Sequence, residues 1–225
     1  MEKKKERLEG TTAECHGLMG DKKWANPYCV AKSNKPNRED QGNMTNASEY
    51  LDEPDVLEQK MELIASLIKK SKCCIAYTGA GLSRAAGIDD YASKAENSVM
   101  NEVPKIKSAF DAKPTFSHHV ISKLEEAGYV KYYVQQNHDG LPQKAGFPQE
   151  KMNEIHGAWY DPSNPVVQFS GSLRSDLFKW MLEIEQQTDL CLCLGTSLSG
   201  MNADRCACEF ISSFIEREKV KFIFF

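Results

Sequence analysis

The sequence lacks several features that mark common protein classes. No apolar run is long enough to cross a bilayer, so we expect no transmembrane helix and no membrane partner. No apolar stretch follows the charged start of the chain, so no secretory signal peptide is predicted. The 28 Lys and Arg residues are outnumbered by 32 Asp and Glu, and this net charge of −4 argues against direct nucleic-acid binding. We expect an intracellular protein, with nucleus and cytoplasm both open.

Metal-binding cysteine pairs are also missing. The eight cysteines include no C-x-x-C pair, so no tetrahedral zinc site is predicted. Cys191 and Cys193 alternate along a predicted strand and should point to one face of it. Cys206 and Cys208 lie on a predicted helix and do not face together. Without a signal peptide, we expect these thiols to be reduced inside a cell.

The remaining composition predicts one domain with an appendage. The chain has 225 residues, of which 41% are hydrophobic. Residues 1–54 are polar and keep no apolar period, which predicts an extended or partly disordered arm. One patch, from Trp24 to Val30, carries two aromatics and a valine that could dock on a domain. Residues 55–225 show regular patterns, and we expect them to form the folded domain.

From Asp55 onwards, predicted helices alternate with predicted strands. This alternation indicates an α/β fold with a doubly wound parallel sheet, Rossmann-like in type. The last predicted strand ends the chain abruptly, so we expect either truncation at the C-terminus or a mistranslated tail. Two predicted helices begin near Asp55 and at Thr115, and Gly128 closes the second of these. Two more predicted helices span Ser175–Gln187 and Ala203–Arg217. The predicted strands are Cys73–Tyr77, Tyr129–Gln135, Leu190–Leu194 and Val220–Phe225.

Small residues follow two of the predicted strands. Thr78 to Gly81 follow the first, and Gly195 to Ser197 follow a later one. Such turns let backbone N–H groups approach a phosphate at the carboxyl edge of a sheet. Arg84 stands where the third glycine of G-x-G-x-x-G would fall, so a plain strand-to-helix turn remains open.

Polar side chains follow two other apolar segments. Asn137 and Asp139 could present an amide and a carboxylate to one cleft, although an Asx turn is the alternative. His156, beside Gly157, could be a general base or a structural hydrogen-bonding residue. The other histidines have plainer interpretations: capping or packing for His118 and His119, a loop position for His138, and no specific role for His16.

In this order, the segments resemble the motifs of the sirtuin family. The resemblance extends from about Leu57 to the C-terminus. The family patterns G-A-G-x-S, G-I-P-D-F-R, P-T-x-x-H, Q-N-I-D-G-L, H-G and G-T-S-L are matched by Gly79–Ser83, Gly87–Ala92, Pro114–His118, Gln136–Leu141, His156–Gly157 and Gly195–Leu198.

The resemblance implies an NAD-dependent protein-lysine deacylase. In that family an acyl-lysine oxygen attacks the ribose carbon that carries nicotinamide, and nicotinamide leaves. By this resemblance His156 is the catalytic base, Asn137 orders the ribose side and Asp139 holds the nicotinamide carboxamide. An acyl-lysine protein or peptide is the implied partner. The implied cofactor-binding residues are Gly79, Ala80, Gly81, Ser83, Asp90, Tyr91, Gln136, Asn137, Asp139, Gly195, Thr196 and Ser197.

The departures from the family pattern carry their own expectations. Only seven residues, Ala158 to Asn164, occupy the place of the family's zinc ribbon, so we expect no zinc-binding small domain and no zinc. Ala92 replaces an arginine, Asp89 replaces a proline, and Phe169 to Gly171 stand for the peptide-pairing F-G-E segment. These changes leave alternatives open: an NAD glycohydrolase, an ADP-ribosyl transferase, or a catalytically weak NAD-binding regulatory module.

Overall fold

The computed structural model describes residues 6–35, 47–90, 98–106, 108–168, 170–198, 202–207 and 221–224, with backbone only at 99, 100, 109, 202 and 221–224. Several predicted features lie outside these ranges: Tyr91, Ala92, Phe169, Cys208, the predicted helix beyond residue 207, and the end residues Val220 and Phe225. The chain divides into two compact units, residues 1–66 with 91–102 and residues 67–90 with 103–225.

The first unit contains short regular elements. Helix α1 is Thr12–His16, strands β1 (Tyr28–Ala31) and β2 (Glu49–Leu51) pair antiparallel, and helix α2 spans Pro54–Lys70, crossing into the second unit. A 3₁₀ turn spans Val99–Glu102. The extended or partly disordered arm is predicted over residues 1–54, where α1, β1 and β2 lie, and α2 begins beside Asp55, where a helix is predicted.

Local contacts explain why the first unit forms these elements despite its polar composition. Thr11 and Glu14 form a capping box that opens α1, with Thr11 N donating to Glu14 Oε2 at 2.7 Å. His16, expected to have no specific role, packs edge-on against Trp24 with ring centroids 5.5 Å apart. Lys60 Nζ donates to Asp52 at 2.6 Å, and His16 Nδ1 lies 3.6 Å from the same carboxylate.

The second unit is built on a parallel sheet of five strands. These are β3 (Cys74–Thr78), β4 (Val130–Gln135), β5 (Met152–Asn153), β6 (Leu190–Leu194) and β7 (Lys221–Phe224), in the order β5-β4-β3-β6-β7. Every neighbouring pair is parallel, which confirms the predicted Rossmann-like α/β fold. All five residues of β3 are buried, as expected for a strand covered on both faces.

Two helices of the second unit, α3 (Phe116–Glu126) and α5 (Ser175–Gln187), begin at their predicted positions. A third short helix, α4 (Leu141–Lys144), was not predicted. Thr115 caps α3 together with His118, and Gly128 follows its end at φ +80°, both as predicted. Short 3₁₀ turns span Ala80–Ala86, Ala109–Asp111, Gln149–Lys151 and Asn202–Asp204.

The core places two predicted cysteines on one side of the sheet. Cys191 and Cys193 share a face of β6, with their sulfurs 3.8 Å apart, and pack with Met181 and Ile184 of α5. The seven described cysteines are free thiols. Burial raises the pKa of Cys74 to about 12, so this thiol is a poor nucleophile. Among the described residues, no helix combines the length and apolar character needed to span a membrane.

His118 should make the stability of the second unit depend on pH. It is buried, and burial lowers its pKa to about 4, while its Nε2 has no hydrogen-bond partner among the described residues. Between pH 6.5 and pH 4, the His118 ring is therefore protonated in the unfolded chain but not in the folded chain. Because of this difference, the free energy of unfolding should fall by roughly 3 kcal/mol as the pH is lowered from 7 to 4.

Urea unfolding at both pH values tests this expectation. His118→Asn keeps an acceptor for the Thr115 backbone but does not titrate, so its pH dependence should be smaller by that amount. Equal pH dependence in the two proteins would show that His118 is not the cause.

Candidate active site

Three predicted loops meet at one edge of the sheet. The strands β3, β4 and β6 are adjacent and parallel, so their carboxyl ends lie side by side. Gly79 N donates to Leu194 O at 3.0 Å, and Gln136 N donates to Thr78 O at 3.0 Å. The loops that follow these strands therefore start in direct contact, at the edge where open α/β sheets bind ligands.

The two glycine loops pack backbone against backbone. Gly81 N donates to Gly195 O at 2.8 Å. A Cβ on Gly81 would lie 2.9 Å from Gly195 O, and a Cβ on Gly195 would lie 2.2 Å from Leu82 N. Gly195 also has a φ of +63°, which favours glycine. These glycines are needed for the loops to meet, in addition to the cofactor role that the sequence predicts.

Ser83, Asn137 and Asp139 form one buried hydrogen-bond network. Ser83 Oγ donates to Asp139 Oδ2 at 2.6 Å, and Asn137 Nδ2 donates to Ser83 Oγ at 3.1 Å and to Gly79 O at 3.0 Å. Asp139 Oδ1 also accepts from Leu141 N at 3.0 Å, which is the Asx turn considered as an alternative. Asp139 therefore makes the local turn and holds Ser83 as well.

Gln136 connects the end of β4 to residues that sequence analysis did not select. Its Nε2 donates to Asp204 Oδ1 at 2.8 Å and also contacts the Tyr77 hydroxyl, and its Oε1 accepts from Thr196 Oγ1 at 3.3 Å. Tyr77 OH donates to Asp204 Oδ1 at 2.6 Å. A tyrosine inside a buried strand needs a polar partner for its hydroxyl group. This requirement of Tyr77 is the sequence feature from which a partner such as Asp204 could have been sought.

His156 is buried beside this network with one ring nitrogen engaged. His156 is 9% exposed, and its Nδ1 lies 3.3 Å from the Gln136 carbonyl oxygen. A carbonyl oxygen only accepts, so Nδ1 carries the hydrogen and Nε2 of the neutral ring is left as an acceptor. Burial lowers the pKa of His156, so the ring is neutral at pH 7. This is the protonation state of a general base.

Arg84 lies next to this network and is paired with acidic residues. Its Nη1 donates to Asp89 Oδ1 at 2.6 Å, and its Nε lies 3.7 Å from Asp90 Oδ2. Lys105 donates to Asp89 at 2.7 Å, and this bond, with that of Arg84, lowers the Asp89 pKa. The arginine that departs from the glycine pattern thus anchors Asp90, one of the predicted cofactor-binding residues.

The three other predicted cofactor-binding residues are Ala80, Ser197 and Tyr91. Ala80 and Ser197 lie in the two glycine loops, where Ser197 is exposed, and Tyr91 lies outside the described residues. Within the described ranges, no three His, Cys, Asp or Glu side chains are grouped as metal ligands.

Comparison with known proteins shows a likeness to the Sir2 family. The Sir2 family model matches residues 94–164, which include the Gln136 and His156 segments. Over 117 residues the chain is 38% identical to the bovine NAD-dependent protein deacetylase sirtuin-7, and over 118 residues it is 39% identical to the Drosophila melanogaster NAD-dependent protein deacetylase Sirt6. The chain is similar to proteins of the Sir2 family over this part of its length. The predicted resemblance is thereby confirmed.

The sirtuin alignments cover only part of each protein. They include 50% and 51% of this chain, but 29% of the bovine protein and 37% of the Drosophila protein. The chain thus spans about a third of the length of these relatives.

Solved sirtuin structures have the same fold. A structure described as Sir2 with p53 peptide and NAD+ has a TM-score of 0.59 at 22% identity and covers 73% of this chain and 85% of that one. A second, Sir2Tm bound to a propionylated peptide, has a TM-score of 0.58 at 23% identity with the same coverage. At these identities the likeness establishes the fold alone.

Proposed function

We propose that this chain is an NAD-dependent protein-lysine deacylase. The observation that carries the proposal is the convergence of His156, the Ser83–Asn137–Asp139 network and the paired glycine loops at one sheet edge. The relatives named NAD-dependent protein deacetylase support this activity. The peptide complexes among the sirtuin structures support an acyl-lysine protein or peptide as substrate.

The residues at this edge fit a dinucleotide. Ser83, Asn137 and Asp139 are buried and mutually bonded, so their polar groups are fixed before any ligand arrives. The backbone of two small-residue loops lies beside them, as phosphate groups require. The NAD-holding set would be Gly79, Ala80, Gly81, Ser83, Asp90, Tyr91, Gln136, Asn137, Asp139, Gly195, Thr196 and Ser197.

The chain's own groups divide the work of the reaction. Bound NAD supplies the ribose carbon from which nicotinamide departs. His156 Nε2 would be the atom that accepts a ribose hydroxyl proton, because its Nδ1 hydrogen is already donated to Gln136 O. Asn137 and Asp139 keep the ribose and carboxamide sides of the site in fixed positions, since both are anchored through Ser83. Fixed polar groups of this kind stabilise developing charge without reorganising.

Product analysis tests the proposal directly. The protein is incubated with NAD, with and without an acetyl-lysine peptide, and products are identified by mass spectrometry. O-acetyl-ADP-ribose supports the deacylase. Free ADP-ribose without deacetylated peptide identifies an NAD glycohydrolase, and ADP-ribosylated protein identifies a transferase. Bound NAD with no product identifies a regulatory module, which Ala92, the missing zinc ribbon and the altered Phe169 segment favour.

We further propose that the site needs no zinc. The motivation is the seven-residue segment Ala158 to Asn164 and the absence of any C-x-x-C pair. Elemental analysis should find well under one zinc per chain, and chelation should leave the unfolding curve unchanged. One tightly held zinc per chain, lost together with the fold on chelation, would contradict this.

We also propose that NAD binding belongs to residues 55–225. Every described site residue lies in the second compact unit, which begins at residue 67. Deleting Met1 to Met19 should therefore leave the calorimetric NAD affinity unchanged. A folded deletion variant that no longer binds NAD would assign part of the site to the arm.

A further inference from the structure

Two loops of the site are tied together by a reciprocal pair of histidine bonds. His156 Nδ1 lies 3.3 Å from the carbonyl oxygen of Gln136, and His138 Nδ1 lies 3.0 Å from the carbonyl oxygen of Gly157. Each ring therefore donates to the backbone of the segment that carries the other. Trp159 N donates to His138 O at 3.0 Å and completes the connection.

The position of His138 is fixed from two sides. Its ring contacts the Trp159 ring with centroids 5.9 Å apart and planes tilted by 50°. The residue lies between Asn137 and Asp139, whose side chains are anchored to Ser83. The His138 ring thus has little freedom, and its Nδ1–H is held against the residue that follows His156.

The turn at Gly157 also leaves little room for adjustment. Gly157 has a φ of +87°, and a Cβ there would lie 2.3 Å from Pro165 O. Because Gly157 directly follows His156, its carbonyl orientation is coupled to the direction of the His156 backbone. A bond that fixes this carbonyl therefore helps to fix where the imidazole of His156 points.

We propose that His138 is a positioning residue that holds His156 in its base orientation by donating from Nδ1 to the Gly157 carbonyl. This inference rests on the proposed function for its catalytic consequence. The motif that the segment resembles has isoleucine at this position, which has no donor, so the bond is a property of this chain.

The charges around His156 give the proposal a second, electrostatic consequence. The titratable groups that act on His156 are His138, whose charge disfavours protonation of His156, and Asp204, whose charge favours it. Both effects are smaller than that of burial, which lowers the His156 pKa. Removing the His138 ring should therefore raise the pH at which His156 titrates, because a charge that disfavours its protonation is lost.

Two substitutions separate the donor from the ring. His138→Phe keeps an aromatic ring against Trp159 but has no donor, whereas His138→Asn places an amide near the position of Nδ1. For nicotinamide release, we expect kcat about tenfold lower in His138→Phe with KM for NAD within about twofold, as for one lost positioning bond. His138→Asn should stay within about threefold of wild type. His119→Phe, at an exposed position on α3, is the matched control.

Nuclear magnetic resonance of His156 tests the same inference without activity. In the wild type the ring should be the Nδ1–H tautomer, and His138→Phe should show mixed tautomers. In both His138 variants, the His156 ring should titrate at a higher pH than in the wild type. If the wild type releases no nicotinamide, the proposed function is wrong. The positioning role of His138 is then decided by the His156 tautomer alone. Unchanged kcat, tautomer and titration in His138→Phe, or equal kcat losses in both variants with an unchanged tautomer, would overturn the inference.

Discussion

Replacing His156 by alanine is expected to lower nicotinamide release by roughly a hundredfold or more, the usual contribution of a positioned general base. The NAD affinity should not change, because the Ser83–Asn137–Asp139 network and the glycine loops do not depend on the His156 side chain. Turnover is measured as free nicotinamide and affinity by calorimetry. His119→Ala, on an exposed helical position, controls for histidine removal. Release at the wild-type rate by His156→Ala would exclude this base.

The pH dependence gives the same substitution a second readout. Burial lowers the His156 pKa below its usual value of 6.5, and a base acts only when unprotonated. Activity in the wild type should therefore be retained at neutral pH and fall as the pH drops through this lowered value. The His156→Ala variant should lack that limb. An identical acidic limb in both proteins would assign it to another group.

Replacing Gly195 by alanine is expected to destabilise the second unit by roughly 4 kcal/mol or more, the range of severe backbone conflicts. A Cβ there would lie 2.2 Å from Leu82 N and 2.8 Å from Gly81 C, and these are backbone atoms that cannot rotate away. The measurement is the free energy of unfolding in urea.

Gly128→Ala is the matched control for this substitution. Gly128 has a similar positive φ of +80°, but a Cβ there would meet nothing within 4 Å. It should lose only about 1 to 2 kcal/mol, the cost of left-handed backbone for alanine. Equal losses at Gly128 and Gly195 would show that the glycine loops are not packed as described. The same crowding means that a substitution at Gly81 would affect folding as well as NAD affinity.

The sequence predicts those features that follow from strand order. Parallel strands end at one edge, so apolar runs followed by Gly79, Asn137 and Gly195 were sufficient to predict which loops would lie together. The prediction that His156 is a general base rests on the order of the motifs.

Other features depend on contacts that no local pattern contains. The bond between Tyr77 and Asp204 joins residues 127 positions apart. The bond between Ser83 and Asp139 spans 56 positions, and it gives Asp139 a structural role beside the Asx turn. Helix α1 of the first unit was not predicted because the polar composition outweighed a short local signal, the capping box of Thr11 and Glu14.

The most direct test of this account is a time course of nicotinamide release from NAD by the 225-residue chain, with an acetyl-lysine peptide present. A protein-lysine deacylase should release nicotinamide steadily, only when the peptide is present, and in an amount equal to the lysine deacetylated. NAD that binds to the folded protein and stays intact over many hours, with the peptide unchanged, would contradict it.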